Sequence, residues 1–289
     1  MPRPVVPGHY SIGYSLSGRV LAVGDDVADI AVGDRVACSG SQCAHHAERV
    51  AVPRNLTAKV PDGVELRDAA FITIGAIALA SVRETASQVG ETIVLYGVGL
   101  LGLLAGQIAR VGGLYVVGFD LDPTPRDVGL QDVHDPRDRP PVDVVAAATD
   151  GFGADAVILA VQTDSDEPLN LSFDLCRQRG RIVALGQFGW NIDRQRMFEH
   201  EVTIWPVRAY GPGRYDPAYE EGNGDYPIGW VRWTENRNQA AFLRLLAEGA
   251  VTVAPLAPVA VPIDRAPEAY DLLQSDHRLP TVVLSYGSS

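Results

Sequence analysis

The stretch "ETIVLYGVGLLGLLAGQIARVGGLYVVGFDLDP", residues 91–123, restricts the fold more than any other part of the chain. Its apolar run over 92–109 approaches the roughly 18 residues that suggest a membrane span. Gly97, Gly99, Gly102 and Gly106 interrupt that run. A strand that breaks at glycines and resumes as a helix explains those positions, whereas a bilayer helix does not require them. Gly97, Gly99 and Gly102 fit G-x-G-x-x-G between a predicted strand and a predicted helix. In that setting the first glycine permits a tight turn, the second lets the backbone approach a pyrophosphate, and the third lets helix and strand pack closely. N–H groups at the helix start then face the phosphates. The next predicted strand ends at Asp120, 18 residues after Gly102, near the roughly 20 at which an acid binds a ribose 2′-hydroxyl. A carboxylate there repels a 2′-phosphate and no arginine directly follows it, so NAD is expected over NADP; the nearest basic residue is Arg126. The alternative is a glycine-rich turn that binds no nucleotide.

The flanking sequence continues the alternation of strand and helix. Strands are predicted at 93–96, 115–119, 156–161 and 181–185, each apolar over most of its length as in a parallel sheet covered on both faces. "VGLLGLLAGQIARVGG", "VDVVAAATDGFG" and "PLNLSFDLCRQRG" have helical length and spacing between them, and Cys176 falls in the last as a core residue. This is a βαβ series, an α/β doubly wound parallel sheet. Ligands in such sheets bind at the carboxyl ends of the strands, which adds Val161, Gln162, Gly186, Gln187 and Phe188 to the expected cofactor contacts Gly97, Gly99, Leu100, Leu101, Gly102, Asp120 and Leu121.

Before this series, "GRVLAVG", "VGDRVAC", "ERVAVP" and "LTAKVPDG" read as the short strands of a small β domain, followed by a helix or helix pair over 65–85. After it, "YGPGRYDPAYEEGNGDYPIGWVRW" is a loop-like excursion rich in glycine, proline and aromatics. A helix over 236–248 and a strand, helix and final strand then close the chain.

With 289 residues, 46% of them hydrophobic, the chain can bury one large core or two smaller ones. The formal charge is −12 and Lys59 is the only lysine, so no basic stripe tracks a phosphate backbone. Nucleic acid and membrane are not expected partners. Three cysteines form no disulfide framework and no apolar leader opens the sequence; a cytoplasmic location is expected.

"GRVLAVGDDVADIAVGDRVA", "ERVAVPRNLTAKVPDGVELRDAAF", the glycine turn with Asp120, "GRIVALG" and "VPIDRAPEAYDLL" together resemble the medium-chain dehydrogenase/reductase superfamily. "GYSLSGRV", "AHHAERVAVPRNL", "TIGAIAL" and "YGPGRYDPAYE" resemble a shorter branch of it. That branch includes bacteriochlorophyllide 2-hydroxyethyl dehydrogenase-like proteins and the dehydrogenase half of bi-domain sugar oxidoreductases. The resemblance implies a truncated GroES-like β domain around a Rossmann domain, with the active site in the cleft and a homodimer paired through the Rossmann domains. The implied division is 1–82 for the N-terminal part of the GroES-like domain, 83–212 for the Rossmann domain, and 213–289 for the excursion and the return to the catalytic domain.

A Gly-His pair at Gly8 and His9 suggests a zinc ligand, because zinc members carry Gly-His-Glu-x-x-Gly-x-Val-x-x-x-Gly. The register falls instead on Gly13, Tyr14, Ser15, Gly18, Val20 and Gly24. Tyr14 and Ser15 therefore stand where the resemblance places histidine and glutamate. The cysteine ligand of the family lies well before that frame, where this chain has twelve residues ahead of Gly13. The third ligand position falls at or near Thr73, a poor ligand for zinc. The structural zinc lobe is reduced to "ACSGSQCAHHAE". A rival metal reading uses Cys38, Cys43, His45 and His46, but adjacent histidines on a strand point in different directions. No zinc is expected.

A dehydrogenase without zinc still needs a group that moves a proton. His46 has a suitable ordinary pKa, and the resemblance puts it on the loop facing the cleft; the alternative is a solvated loop histidine. The Tyr14 hydroxyl can donate to a substrate oxygen, or the ring can simply fill the vacated metal pocket. In "RAYGPGRY", Tyr210, Arg214 and Tyr215 are substrate-contact candidates, against a packed surface excursion. The expected activity is zinc-independent, NAD-dependent interconversion of a secondary alcohol and a ketone on a polyol, sugar or cyclitol of secondary metabolism. Two alternatives stay open: transient use of bound NAD for epimerisation or elimination, and a catalytically silent NAD-binding protein.

Overall fold

The computed structural model describes residues 11–123, 130, 132–222, 224–257, 259–275 and 281–287. Gly8, His9 and Arg126 lie outside the described residues. The chain begins with an antiparallel sheet of β1 (Ser15–Arg19), β2 (Arg35–Ser39) and β3 (Thr57–Lys59). Strand β1 pairs with β2 from Ser15 opposite Ser39 to Arg19 opposite Arg35. That register makes Val20 onward the connection to β2, so β1 lies earlier than "GRVLAVG" suggests. "ERVAVP" forms no strand; the three-stranded sheet is completed instead by β3, the short strand at the start of "LTAKVPDG".

Two helices follow, α1 (Leu66–Ala69) and α2 (Ile72–Glu84), and then the parallel series. It comprises β4 (Thr92–Tyr96), α3 (Leu100–Val111), β5 (Tyr115–Phe119), β6 (Val133–His134), α4 (Pro141–Ala148), β7 (Ala154–Leu159), α5 (Glu167–Leu175), β8 (Cys176–Ala184), α6 (Arg194–His200) and β9 (Thr203–Pro206). These strands form one sheet of six in the order β6-β5-β4-β7-β8-β9. Side chains alternate across it as the pleat requires. Ile93, Leu95, Ala156, Ile158 and Val183 join the core under α2 and α3. Val94, Tyr96, Val157, Leu159 and Ile182 join the core under α4 and α5.

Cys176 is buried as expected, but it opens β8 instead of lying within a helix. The preceding helix ends at Leu175 because the backbone turns extended at Cys176, with φ −76 and ψ 144. Strands β6 and β9 escape the four apolar runs read from sequence. The first has two residues, and the second is a mostly exposed edge.

After β9 come α7 (Pro217–Glu220), α8 (Glu235–Ala247), β10 (Ala260–Pro262), α9 (Ala266–Ser275) and β11 (Val283–Ser285), with β10 and β11 paired in parallel. The excursion before α8 is tied down at Asn55, whose side-chain amide donates to the carbonyls of Tyr219 at 2.7 Å and Gly224 at 2.8 Å. Tyr219 and Tyr226 stack with ring centroids 5.3 Å apart.

Helix α2 packs on α8 through Gly75, where an added Cβ would lie 2.3 Å from the ring of fully buried Phe242. Alanine in place of a mid-helix glycine gains about 1 kcal/mol of helix propensity, while overpacking a core costs about 1–3 kcal/mol. Gly75→Ala is therefore expected to lower stability in urea denaturation, and Gly75→Ala combined with Phe242→Leu to recover most of the loss.

Candidate functional site

Strand β4 ends at Tyr96 and the chain turns at Gly97, which has φ +98, a conformation that side-chain-bearing residues rarely adopt. The Gly97 N–H stays on the sheet, donating to Phe119 O at 2.8 Å. An added Cβ on Gly102 would lie 2.1 Å from Gly97 O, so α3 starts directly against the turn. Gly99, the N-cap of α3, has nothing within 4 Å of its Cβ position and no side chain caps the helix. The first N–H groups of α3 thus face an open cradle beside Gly99, the arrangement that binds a phosphate. The residues fit a dinucleotide.

Asp120 follows β5 and its carboxylate reaches back to the glycine turn. One oxygen accepts from Val98 N at 2.6 Å and the other from Asp122 N at 2.9 Å. An ionised carboxylate has about four lone-pair sites, so both oxygens retain capacity for a ribose hydroxyl. Leu121 beside it is exposed. Arg137 escaped the sequence reading. Its Nη2 donates to Leu121 O at 2.9 Å while its guanidinium pairs with Asp135. The two-residue strand β6, paired to β5 through Phe119 and His134, carries it there, and so short a strand leaves no periodic signal.

The ends of β7 and β8 are joined beyond the strands. Gln187 N donates to Val161 O at 3.0 Å and Thr163 N to Gln187 O at 2.8 Å, which makes Gln162 and Gln187 bridge partners. An added Cβ on Gly186 would lie 2.0 Å from Val161 O. Phe188 is buried and stacks on Trp190 at 5.4 Å between centroids. The predicted cofactor contacts all lie at the carboxyl edge of the parallel sheet. A groove of about 340 Å³ lined by Phe152, Gly153, Cys176 and His200 opens at the opposite, amino-terminal edge.

Tyr14, Ser15 and Thr73 come together although 58 residues separate the last two. Thr73 Oγ1 donates to Tyr14 O at 2.9 Å. Ser15 Oγ donates to Ala70 O at 2.6 Å and accepts from Thr73 N at 3.2 Å. The start of α2 is in this way fastened to β1. The Tyr14 ring is partly exposed, and burial of its inner part raises the phenol above its ordinary pKa. His46 lies against Gly13: an added Cβ there would come within 2.9 Å of the imidazole. Burial, and to a lesser degree His45, lowers the His46 pKa, so the ring is neutral at pH 7.

Tyr210 is buried between Leu56 and Ala76, and burial pushes its phenol far above the ordinary range. Arg214 pairs with Glu220 and donates to Ser41 Oγ at 3.3 Å. Tyr215 is exposed and lies between the guanidinium groups of Arg208 and Arg214, at 4.2 and 4.1 Å from its centroid. Cys38 is buried with its thiol 3.6 Å from the Thr57 hydroxyl, and Cys43 turns to the Ser39 carbonyl at 3.5 Å. Among the described residues, no group of three or more His, Cys, Asp and Glu side chains is arranged to hold a metal ion.

A family model described as zinc-binding dehydrogenase matches residues 101–221. The chain is 24% identical over 253 residues to the sorbitol dehydrogenase of Halalkalibacterium halodurans, covering 73% of each protein. It is 26% identical over 293 residues to the D-guloside 3-dehydrogenase of Shigella flexneri, covering 93% of this chain and 75% of that protein. Its fold is similar to the structure of a mycobacterial protein complexed with NADPH, with a TM-score of 0.72, 23% identity, and coverage of 96% of this chain and 84% of that one.

The contrast between two glycines tests the cradle. Gly99→Ala is expected to leave urea stability within about 1 kcal/mol of the parent, the glycine-to-alanine range, and to weaken dinucleotide binding in calorimetry. Gly102→Ala is expected to destabilise the fold by about 1–3 kcal/mol or more, because its Cβ meets backbone that cannot yield.

Proposed function

We propose that this chain, a member of the medium-chain dehydrogenase/reductase superfamily, is an NAD-dependent oxidoreductase that interconverts a secondary alcohol and a ketone on a hydroxylated small molecule without zinc. The observation that carries the reading is the open, uncapped start of α3 beside Gly99, with Asp120 poised at the end of β5. The NADPH complex of the mycobacterial relative supports a nicotinamide dinucleotide. The choice of NAD rests on the Asp120 carboxylate, which repels a 2′-phosphate; Arg137, the nearby cation, is already matched by Asp135. The substrates for which the relatives are named, sorbitol and a D-guloside, support a polyol or sugar.

Gly99 and the first N–H groups of α3 would hold the pyrophosphate, Asp120 the adenosine ribose, and the joined ends of β7 and β8 the nicotinamide half. When bound, the nicotinamide ring accepts or donates the hydride. The chain must then supply the proton transfer. Neutral His46 can accept a proton at its ring, and the raised phenol of Tyr14 stays protonated and can donate a hydrogen bond to a substrate oxygen. Support for zinc independence comes from Ser15 and Thr73, which spend their side chains on Ala70 and Tyr14 where the resemblance would place a ligand set. The homodimer, cytoplasmic location and role in secondary metabolism are part of the same proposal.

Titration calorimetry with NAD and NADP, followed by a polyol and sugar panel read at the NADH absorbance, tests the reading. Asp120→Ser is expected to weaken NAD about tenfold or more, the worth of a charge-assisted hydrogen bond, and to narrow the preference over NADP. Turnover of a sugar with no net NADH would favour transient oxidation for epimerisation. About one tightly bound zinc per chain, with activity lost on chelation, would remove the zinc-free claim.

A further inference from the structure

Glu235 opens α8 after the N-cap Thr234, yet it is fully buried. Neither carboxylate oxygen has a hydrogen-bond partner, and the same holds for a buried neighbour, Gln239 Oε1. The groups that face Glu235 are Glu220 and Arg214, with Tyr210, Cys43, Tyr219 and Tyr226 around them. Arg214 is committed to Glu220 and Ser41. The cluster therefore holds two carboxylates against one guanidinium and has more acceptors than donors. An unpaired ionised carboxylate in such a place is strongly disfavoured, because neither water nor a free cation solvates it. A neutral carboxylic acid avoids that cost and adds the missing O–H donor.

The same residues join the pieces that carry the candidate site. Gln239 Nε2 donates to Ser39 Oγ at 2.5 Å, Asn238 Nδ2 to Tyr210 O at 2.8 Å, and Arg214 to Ser41 Oγ at 3.3 Å. Residues 39–46 end at His46, and residues 207–210 leave the carboxyl end of β9. We propose that Glu235 is a positioning residue that sits in the folded protein as a neutral carboxylic acid, and that the proton it takes up latches residues 210–220 onto residues 39–46. Burial first, and then the charge of Glu220, raise its pKa to about 9, with Arg214 acting in the opposite direction. An acid whose pKa is raised in the closed form and ordinary in the open form takes up a proton on closing. The latch is tightest below the ordinary value of 4.5, loosens about tenfold per pH unit between there and about 9, and levels off above.

Hydrogen exchange of amides in 39–46 and 208–222 tests this, with Glu235→Gln measured at each pH so that the intrinsic pH dependence of exchange cancels. The ratio of wild-type to Glu235→Gln exchange is expected to rise about tenfold per pH unit across that window, while the ratio for β4 amides stays flat. A flat ratio in the two segments overturns the proposal. So does a Glu235→Gln variant that is already unprotected at neutral pH, which would mean that the carboxylate charge itself holds the joint. If Glu235→Gln does not fold, Glu220→Gln takes its place, read against the β4 amides. Removing the like charge and releasing Arg214 is expected to move the upper end of the window down by about one pH unit or more, and an unmoved end overturns the latch. Protection that rises when potassium chloride replaces tetramethylammonium chloride at equal ionic strength would put a cation where the proton is placed, and overturns it as well.

Discussion

The carbonyl of Gly97 lies where a side chain on Gly102 would begin, so the start of α3 is packed directly against the turn that follows β4. With α3 drawn onto the turn, its uncapped N–H groups project past the sheet edge beside Gly99. Because the turn is tight, the Val98 amide points at Asp120 and fixes the carboxylate at 2.6 Å. The β7 side is equally close, since a Cβ on Gly97 would lie 2.8 Å from Ala160 C. Close backbone contacts at this turn thus bring the open helix start, the Asp120 carboxylate and the end of β7 side by side.

The other half of the site depends on hydrogen bonds between distant segments. Ser15 and Thr73 join β1 to α2, and Gly40 N donates to Tyr14 O at 3.0 Å, bringing the end of β2 to the same place. Three chain segments converge on the Tyr14 backbone, and its ring is left partly exposed. A metal bound between β1 and α2 would tie the same two elements together. Here the tether is made of neutral hydrogen bonds worth about 1 kcal/mol each.

Sequence reading reached the elements whose signal is local. Strands buried on both faces are continuous apolar runs, so β4 and β5 were legible almost to the residue, as was the glycine turn between β4 and α3. Strand β9, partly exposed at an edge, gives no such run, and β6 is too short for any pattern. Arg137 was illegible for the same reason. The pairing of Ser15 with Thr73 was illegible because a serine and a threonine 58 residues apart carry no mutual pattern.

Glu235 shows a sharper limit. A glutamate in the first turn of a helix, directly after a threonine N-cap, is what local rules place on the surface, where its charge complements the helix dipole. Its local setting is satisfied: Thr234 caps α8 and the Glu235 N–H donates to Pro212 O at 2.8 Å. The excursion, folded back over the helix start and tied there through Asn55 and Asn238, helps turn that surface position into an interior one. The burial is therefore not a property of the helix alone. A loop that must hold a carboxyl group away from water closes more tightly with a proton in hand, so its closure reports the pH of its surroundings.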